Sequence, residues 1–206
     1  MASPCIPDCP MFNREYITPL EPGNQSGWAY HVGCLTDAEC DDIIRLGTMI
    51  PAVQGYLGGV NDVDATIRQS GVGFFTKSAD TEWVFNRVRD LAKTFNAQFW
   101  NFDLKFLECL QFTIYNSQGD FYTRHVDMRY QALEVRKLSM SIQLSDSDSY
   151  QGGDLRLFRV GDQYDAAPRQ RGTVVAFPSY MAHEVTPVTH GTRYSLVSWV
   201  VGPPFR

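Results

Sequence analysis

LSMSIQLS, residues 138–145, alternates without a break. Leu138, Met140, Ile142 and Leu144 fall on one side of an extended chain, and Ser139, Ser141, Gln143 and Ser145 fall on the other. A period of two assigns a β-strand with two chemically different faces. Working outward, DLKFLECLQFTIYN (103–116), GDLRLFRV (153–160), RGTVVAFP (171–178), HEVTPV (183–188) and TRYSLVSWVV (192–201) supply further short strands. SDSDSYQGG (145–153) and THG (189–191) read as the turns between them.

Upstream the period changes. In LTDAECDDIIRLG (35–47), Thr36 followed three residues later by Glu39 is a capping box, and Gly47 offers a C-terminal stop. In DTEWVFNRVRDLAKTFNAQFW (80–100), Trp83, Val84, Val88, Leu91 and Phe95 recur at helical spacing and predict a second amphipathic helix from about Asp80 to Phe99. Residues 51–75 carry glycines and no helical period, which reads as loop plus short strand, and residues 1–30 read as an irregular arm. Two helices followed by a run of strands is the pattern of a β-sandwich or jelly roll with helices packed on one side. With 206 residues, no internal repeat and no linker, one domain is expected over 1–206: an arm to 30, helical support over 31–102 and a β core over 103–206.

A net charge of −5 argues against binding of nucleic-acid backbones. No apolar run is long enough to cross a bilayer. The amino end lacks the blocks of a secretory signal, and the five cysteines read as reduced thiols, so a cytoplasmic protein is expected. Cys109, inside a strand, reads as a core thiol, and Cys5 and Cys9 lack the partners of a zinc site. Oligomeric state is not legible.

The chemistry gathers around few residues. FYTRHVDMRY (121–130) sets His125 and Asp127 two apart, so that an extended chain presents an imidazole and a carboxylate on one side. HxD alone arises readily by accident. Here His183 follows on a later strand, and Arg193 and Ser195 share a face of the next one. Two histidines and one carboxylate make the facial triad of non-haem Fe(II) oxygenases. An arginine beyond them offers a planar fork for a dicarboxylate. His190, beside Gly191, reads as a solvated loop residue, and His31 as structural.

These segments together resemble the Fe(II)- and 2-oxoglutarate-dependent dioxygenases, in the prolyl 4-hydroxylase-like (PKHD-type) branch. YNSQGDFYTRHVD (115–127) looks like the family's Tyr, Gly, aromatic and HxD run. LSMSIQLSDSDSYQGGDLRLF (138–158) looks like its two strands with a Gly-Gly-acid-Leu signature, and GTVVAFPSYMAHEVTPVTHGTRYSLVSWV (172–200) looks like its closing His and Arg-x-Ser. An arginine at 193, where animal and plant enzymes usually carry lysine, is closer to the bacterial and viral type. The spacing from Tyr115 to His125 is one residue longer than the family's.

The resemblance implies an α+β fold: a double-stranded β-helix (jelly roll) with two N-terminal helices packed on one side. It implies His125, Asp127 and His183 as catalytic iron ligands, Arg193 as the clamp on 2-oxoglutarate, and Tyr115 and Ser195 as further contacts to it. Tyr122, Arg129, Arg68 and the Gly-rich loop around Tyr56 are candidates for the substrate mouth. The implied cofactors are Fe(II), 2-oxoglutarate as co-substrate, O2 and ascorbate as reductant. The implied reaction hydroxylates an unactivated C–H bond, foremost in a peptidyl proline of a peptide or protein, with 2-oxoglutarate converted to succinate and CO2. The alternatives are the same chemistry on a free amino acid or small metabolite, and a non-catalytic cupin-like binding module.

Overall fold

In a computed structural model of the chain, the described residues are 27–55, 64–131 and 134–205. The loop around Tyr56 and most of the arm, Cys5 and Cys9 included, lie outside them. In chain order the elements are β1 (Ala29–His31), α1 (Asp37–Thr48), β2 (Val53–Gln54), β3 (Arg68–Gln69), β4 (Gly71–Phe74) and α2 (Glu82–Phe99). There follow β5 (Phe106–Asn116), β6 (Phe121–His125), β7 (Tyr130–Gln131), β8 (Glu134–Gln143) and β9 (Tyr150–Gly152). The last are β10 (Leu155–Phe158), β11 (Tyr164–Ala166), β12 (Val174–Pro178), β13 (His183–Val185) and β14 (Val188–Gly202).

The strands form two sheets, one ordered β1-β12-β8-β14-β5-β4-β2 and the other β11-β10-β13-β6-β3. Their opposed faces enclose the interior of a double-stranded β-helix, with α1 and α2 on one side. The helices lie against the outer face of the larger sheet. There Leu138, Met140, Ile142 and Leu144 of the alternating segment pack with Ile43, Val84, Val88 and Phe95. Burying such side chains contributes roughly 1.5–3 kcal/mol each, which fixes the larger sheet as a platform.

Thr36 caps α1 as expected: its hydroxyl accepts from the Glu39 amide at 3.2 Å, and the Glu39 carboxylate accepts from the Thr36 amide at 2.7 Å. Gly47 does not stop that helix, which continues to Thr48. It is needed for space, since a Cβ there would stand 2.5 Å from the Phe112 ring. The expected turn at THG is likewise absent. Val188–Gly202 is one long strand, which bends where Gly191 takes a φ of 69°, so that its first residues pair with β9 and the rest with β5 and β8. His190 lies in this strand, not in a loop, and is exposed. The region expected to be helical support also contributes strands. β4 extends the larger sheet beside β5, and β3 extends the smaller one beside β6. Segments of two to four residues interrupted by glycine are too short to show a period.

Candidate metal centre

The smaller sheet brings the two histidines together. β6 and β13 run antiparallel with His125 directly opposite His183, and the ring centroids are 4.2 Å apart. Both rings are anchored from behind: Nδ1 of His125 lies 2.7 Å from the Thr123 carbonyl, and Nδ1 of His183 lies 3.0 Å from the Met181 carbonyl. Each Nδ1 therefore donates to a backbone oxygen, which leaves the Nε2 lone pairs facing the interior. Burial, and then His183, push the His125 imidazole down to about 3, so the ring stays neutral at ordinary pH.

Asp127 follows β6 in an extended segment held by its own amide, which donates to the Ser179 carbonyl at 3.0 Å. Its Oδ1 lies 3.7 Å from His125 Nε2, and its Oδ2 lies 3.5 Å from His183 Nε2. These are not hydrogen bonds. The ligating atoms of all three residues fall within 4.8 Å of one another, which suits one shared ion. Burial would raise the Asp127 carboxyl, but His183 and His125 beside it, together with the hydrogen bond from Ser139, hold the group below the ordinary carboxylate range. Ser139 from β8 donates to Asp127 Oδ2 at 2.8 Å and also contacts the Ser179 hydroxyl at 2.9 Å. The indole N–H of Trp199, buried in the same region, stops short of a formed hydrogen bond.

Across the cavity, Arg193 of β14 is 1% exposed. Nη2 donates to Gln143 Oε1 at 2.9 Å, Nη1 reaches the Ser195 hydroxyl at 3.4 Å, and the buried Nε has no partner. Tyr115, its register partner on β5, sets its ring 5.4 Å below the guanidinium carbon. Gly153 makes room here, because a Cβ would stand 3.0 Å from the Arg193 Cδ, and its φ of 64° suits glycine. A buried guanidinium whose partners are all neutral is a seat for an anion, since an uncompensated buried charge is costly. No carboxylate pairs with Arg193 among the described residues. A dicarboxylate such as 2-oxoglutarate fits that demand at one end and a His-Asp-His-bound metal at the other.

The cavity between these groups measures ≈ 290 Å³ and is lined by all three metal-binding candidates together with Arg193, Ser195 and Tyr115. Tyr122, Arg129 and Arg68 line it as well. Tyr122 stacks on His125, with ring centroids 3.5 Å apart, and Arg68 lies over the Tyr122 ring at 4.6 Å. Cys109 also lines the cavity and so is not a simple core thiol; burial pushes it up to about 11. Cys34, Cys40 and Cys109 are all free. His31 packs edge-on against Phe95 and takes no part. The residues that sequence reasoning passed over are Ser139, Gln143, Ser179 and the Arg136–Glu108 pair. For the first two a signal existed: they are the polar half of LSMSIQLS.

Fold and site together define a jelly-roll protein with a two-histidine, one-carboxylate centre and an anion seat. Residues 110–201 match the model of the 2OG-Fe(II) oxygenase superfamily. Its relatives include a PKHD-type hydroxylase of Synechococcus sp. (strain CC9605), 40% identical over 85 residues. That alignment covers 41% of this chain and 38% of the relative. Another, from Hyphomonas neptunium (strain ATCC 15444), is 34% identical over 89 residues, covering 41% of this chain and 39% of its own. The chain thus aligns with well under half the length of these relatives. Among solved structures, a prolyl-4-hydroxylase of Pseudomonas putida shares the fold with a TM-score of 0.66 at 22% identity, over 86% of this chain and 94% of that one. A prolyl hydroxylase of Trichoplax adhaerens, in complex with a hypoxia-inducible-factor peptide fragment, gives a TM-score of 0.70 at 18% identity, over 84% and 83%. No helix among the described residues is long and apolar enough to cross a membrane.

Proposed function

We propose that this protein is an Fe(II)- and 2-oxoglutarate-dependent dioxygenase that hydroxylates an unactivated C–H bond, foremost in a peptidyl proline. One observation carries the reading. Two imidazole nitrogens and a carboxylate converge on one point of a buried cavity whose far wall is a guanidinium with no carboxylate partner among the described residues. The names of the relatives, hydroxylases, and of the fold neighbours, prolyl hydroxylases, support the choice of reaction and substrate.

In this reading His125, Asp127 and His183 hold the metal through Nε2, a carboxylate oxygen and Nε2. Fe(II) held there would supply, with the oxo acid as two-electron reductant, the chemistry that splits O2, one oxygen atom going to the substrate's C–H bond and the other to the succinate left when CO2 departs. The chain supplies position. The carbonyls of Thr123 and Met181 fix the tautomer and the aim of the two rings, and Ser139 fixes the carboxylate. Arg193, held in the plane set by Gln143 and Ser195, takes the distal carboxylate, with Tyr115 beneath it. Tyr122, stacked on His125, together with Arg129 and Arg68, borders the side from which the substrate enters. A cytoplasmic, single-domain protein acting on peptides completes the proposal.

Anaerobic titration with Fe(II) and 2-oxoglutarate, followed by an oxygen-dependent succinate assay, tests it. Binding of both, and succinate formed only after O2 is admitted, are the expected results. A protein that binds neither, or binds both and never yields succinate, sinks the proposal. Proline-containing peptides, scanned by mass for the gain of one oxygen atom, then test the substrate.

A further inference from the structure

The arginines of the described residues sort themselves. Arg45, Arg87, Arg89, Arg124, Arg136, Arg156, Arg159, Arg169 and Arg171 each pair with a carboxylate. Arg68 is engaged by Ser70, the Tyr122 ring and further contacts. Two remain, Arg193 and Arg129, and both line the cavity. In a chain with five more acidic than basic residues, two guanidiniums without carboxylates in one cavity are not a matter of composition. The first finds its reason in the co-substrate.

Arg129 stands two residues beyond Asp127, in the segment that links β6 to β7, and is half-buried. It makes no hydrogen bond or ion pair among the described residues. Charge balance shows what it lacks. A divalent ion, the Asp127 carboxylate, a dianionic oxo acid and the Arg193 guanidinium together sum to zero. Arg136 and Glu108 cancel through two hydrogen bonds of 2.5 Å, and that pair is further fixed where Arg136 lies 4.0 Å over the Trp199 ring. After both occupants are seated, Arg129 stays unbalanced, two residues from Asp127 and on the cavity wall. A partly desolvated guanidinium in a confined cavity favours a carboxylate over a neutral or cationic group, because it can donate two parallel hydrogen bonds to it.

We infer that the substrate carries a carboxylate near its reacting carbon and that Arg129 binds it, which rests on the oxygenase reading above. The carboxylate has two sources, a free acid or an Asp or Glu side chain beside the target residue of a peptide.

The test uses the whole protein, loaded without oxygen with Mn(II) as a redox-quiet stand-in and with 2-oxoglutarate, each titrated first. Calorimetry then compares the blocked pentapeptide Ala-Ala-Pro-Asp-Ala with versions bearing Asn or Lys for Asp, and N-acetylproline with its amide. A carboxylate preference of about tenfold is expected in at least one arm, and the arm that shows it names the source. The Lys peptide should bind most weakly. Arg129→Gln should bring the preference to about unity, and Arg129→Lys should keep part of it, with thermal melting used to confirm folding of both. Equal binding of charged and neutral probes by the parent overturns the inference, as does no binding of any carboxylate probe. A preference that survives in Arg129→Gln also overturns it. If Mn(II) or 2-oxoglutarate fails to bind, the fault lies in the oxygenase reading and the inference falls with it, a result visible before any probe is added.

Discussion

Ile142 and Ser141 are neighbours on one strand, exposed by 0% and 7%, yet they belong to two different regions of the molecule. Ile142 faces the helices and takes its place in a core of Leu, Val and Phe side chains. Ser141 faces the cavity, on the same side as Ser139, which holds Asp127, and Gln143, which holds Arg193. Both faces are closed to water, but for opposite reasons. One excludes it by apolar contact; the other is polar, and its groups are spoken for by partners that the site supplies. Burial alone does not separate a core from a site. What separates them is whether the buried atoms need partners.

That contrast can be broken or sharpened by substitution. Asp127→Ala and His183→Ala should each reduce 2-oxoglutarate-dependent succinate formation to background and abolish the bound Mn(II) signal in electron paramagnetic resonance. Normal turnover in either variant would remove the residue from the metal. Arg193→Met should raise the 2-oxoglutarate requirement on the order of a hundredfold or more, with little change in Mn(II) affinity. In the ligand-free protein the same change should raise the melting temperature, because a buried cation with neutral partners only is replaced by apolar volume. A lower melting temperature with unchanged 2-oxoglutarate affinity would make Arg193 a structural residue.

The two faces should also fail differently. Ile142→Ala leaves a hole between sheet and helices and should cost about 2–5 kcal/mol of stability in urea titrations, with metal affinity unchanged in the folded protein. Ser139→Ala removes the hydrogen bond to Asp127 and should weaken Mn(II) binding by about tenfold, with only a small change in stability. If both variants lose stability equally and neither loses metal, the cavity face is ordinary core.

Acid should act through the site first. His125 titrates at about 3 in the folded chain and near 6.5 when unfolded, so protons favour the unfolded state between those values. Its contribution is fully present above the unfolded value and is lost as pH falls from about 6.5 toward 3. The lowered Asp127 carboxyl acts in the same direction at the acid end. The metal-free protein should lose about 2 kcal/mol between pH 7 and pH 5, and His125→Asn should flatten that slope.

Particular residues show where the sequence was legible. Thr36 and Glu39 mark the start of α1 because a capping box is a local device, complete within four residues. The start of α2 has no such mark: Thr81 makes no capping hydrogen bond to the first turn, and the helix opens at Glu82, two residues after the expected Asp80. β3 and β4 went unseen as sheet members because their partners, β6 and β5, lie some fifty and forty residues away. The pairing of Arg68 with Tyr122 across that junction was invisible for the same reason. Gly47 and Gly191 were read as a stop and a turn from their backbone freedom, whereas one serves a neighbouring ring and the other a bend within a strand.

By itself the sequence marked the two helices and the longer strands, and singled out His125, Asp127, His183 and Arg193 as the candidates for the site. Periodicity and residue type are properties of the chain, and the resemblance rests on both. Only the tertiary structure decided that Ser139, Ser141 and Gln143 face inward beside the candidate site, and that Arg129 stands in the cavity with no carboxylate partner among the described residues. Those facts depend on which surface meets which, and a strand with two buried faces gives no sign in its own sequence of what will lie across from it.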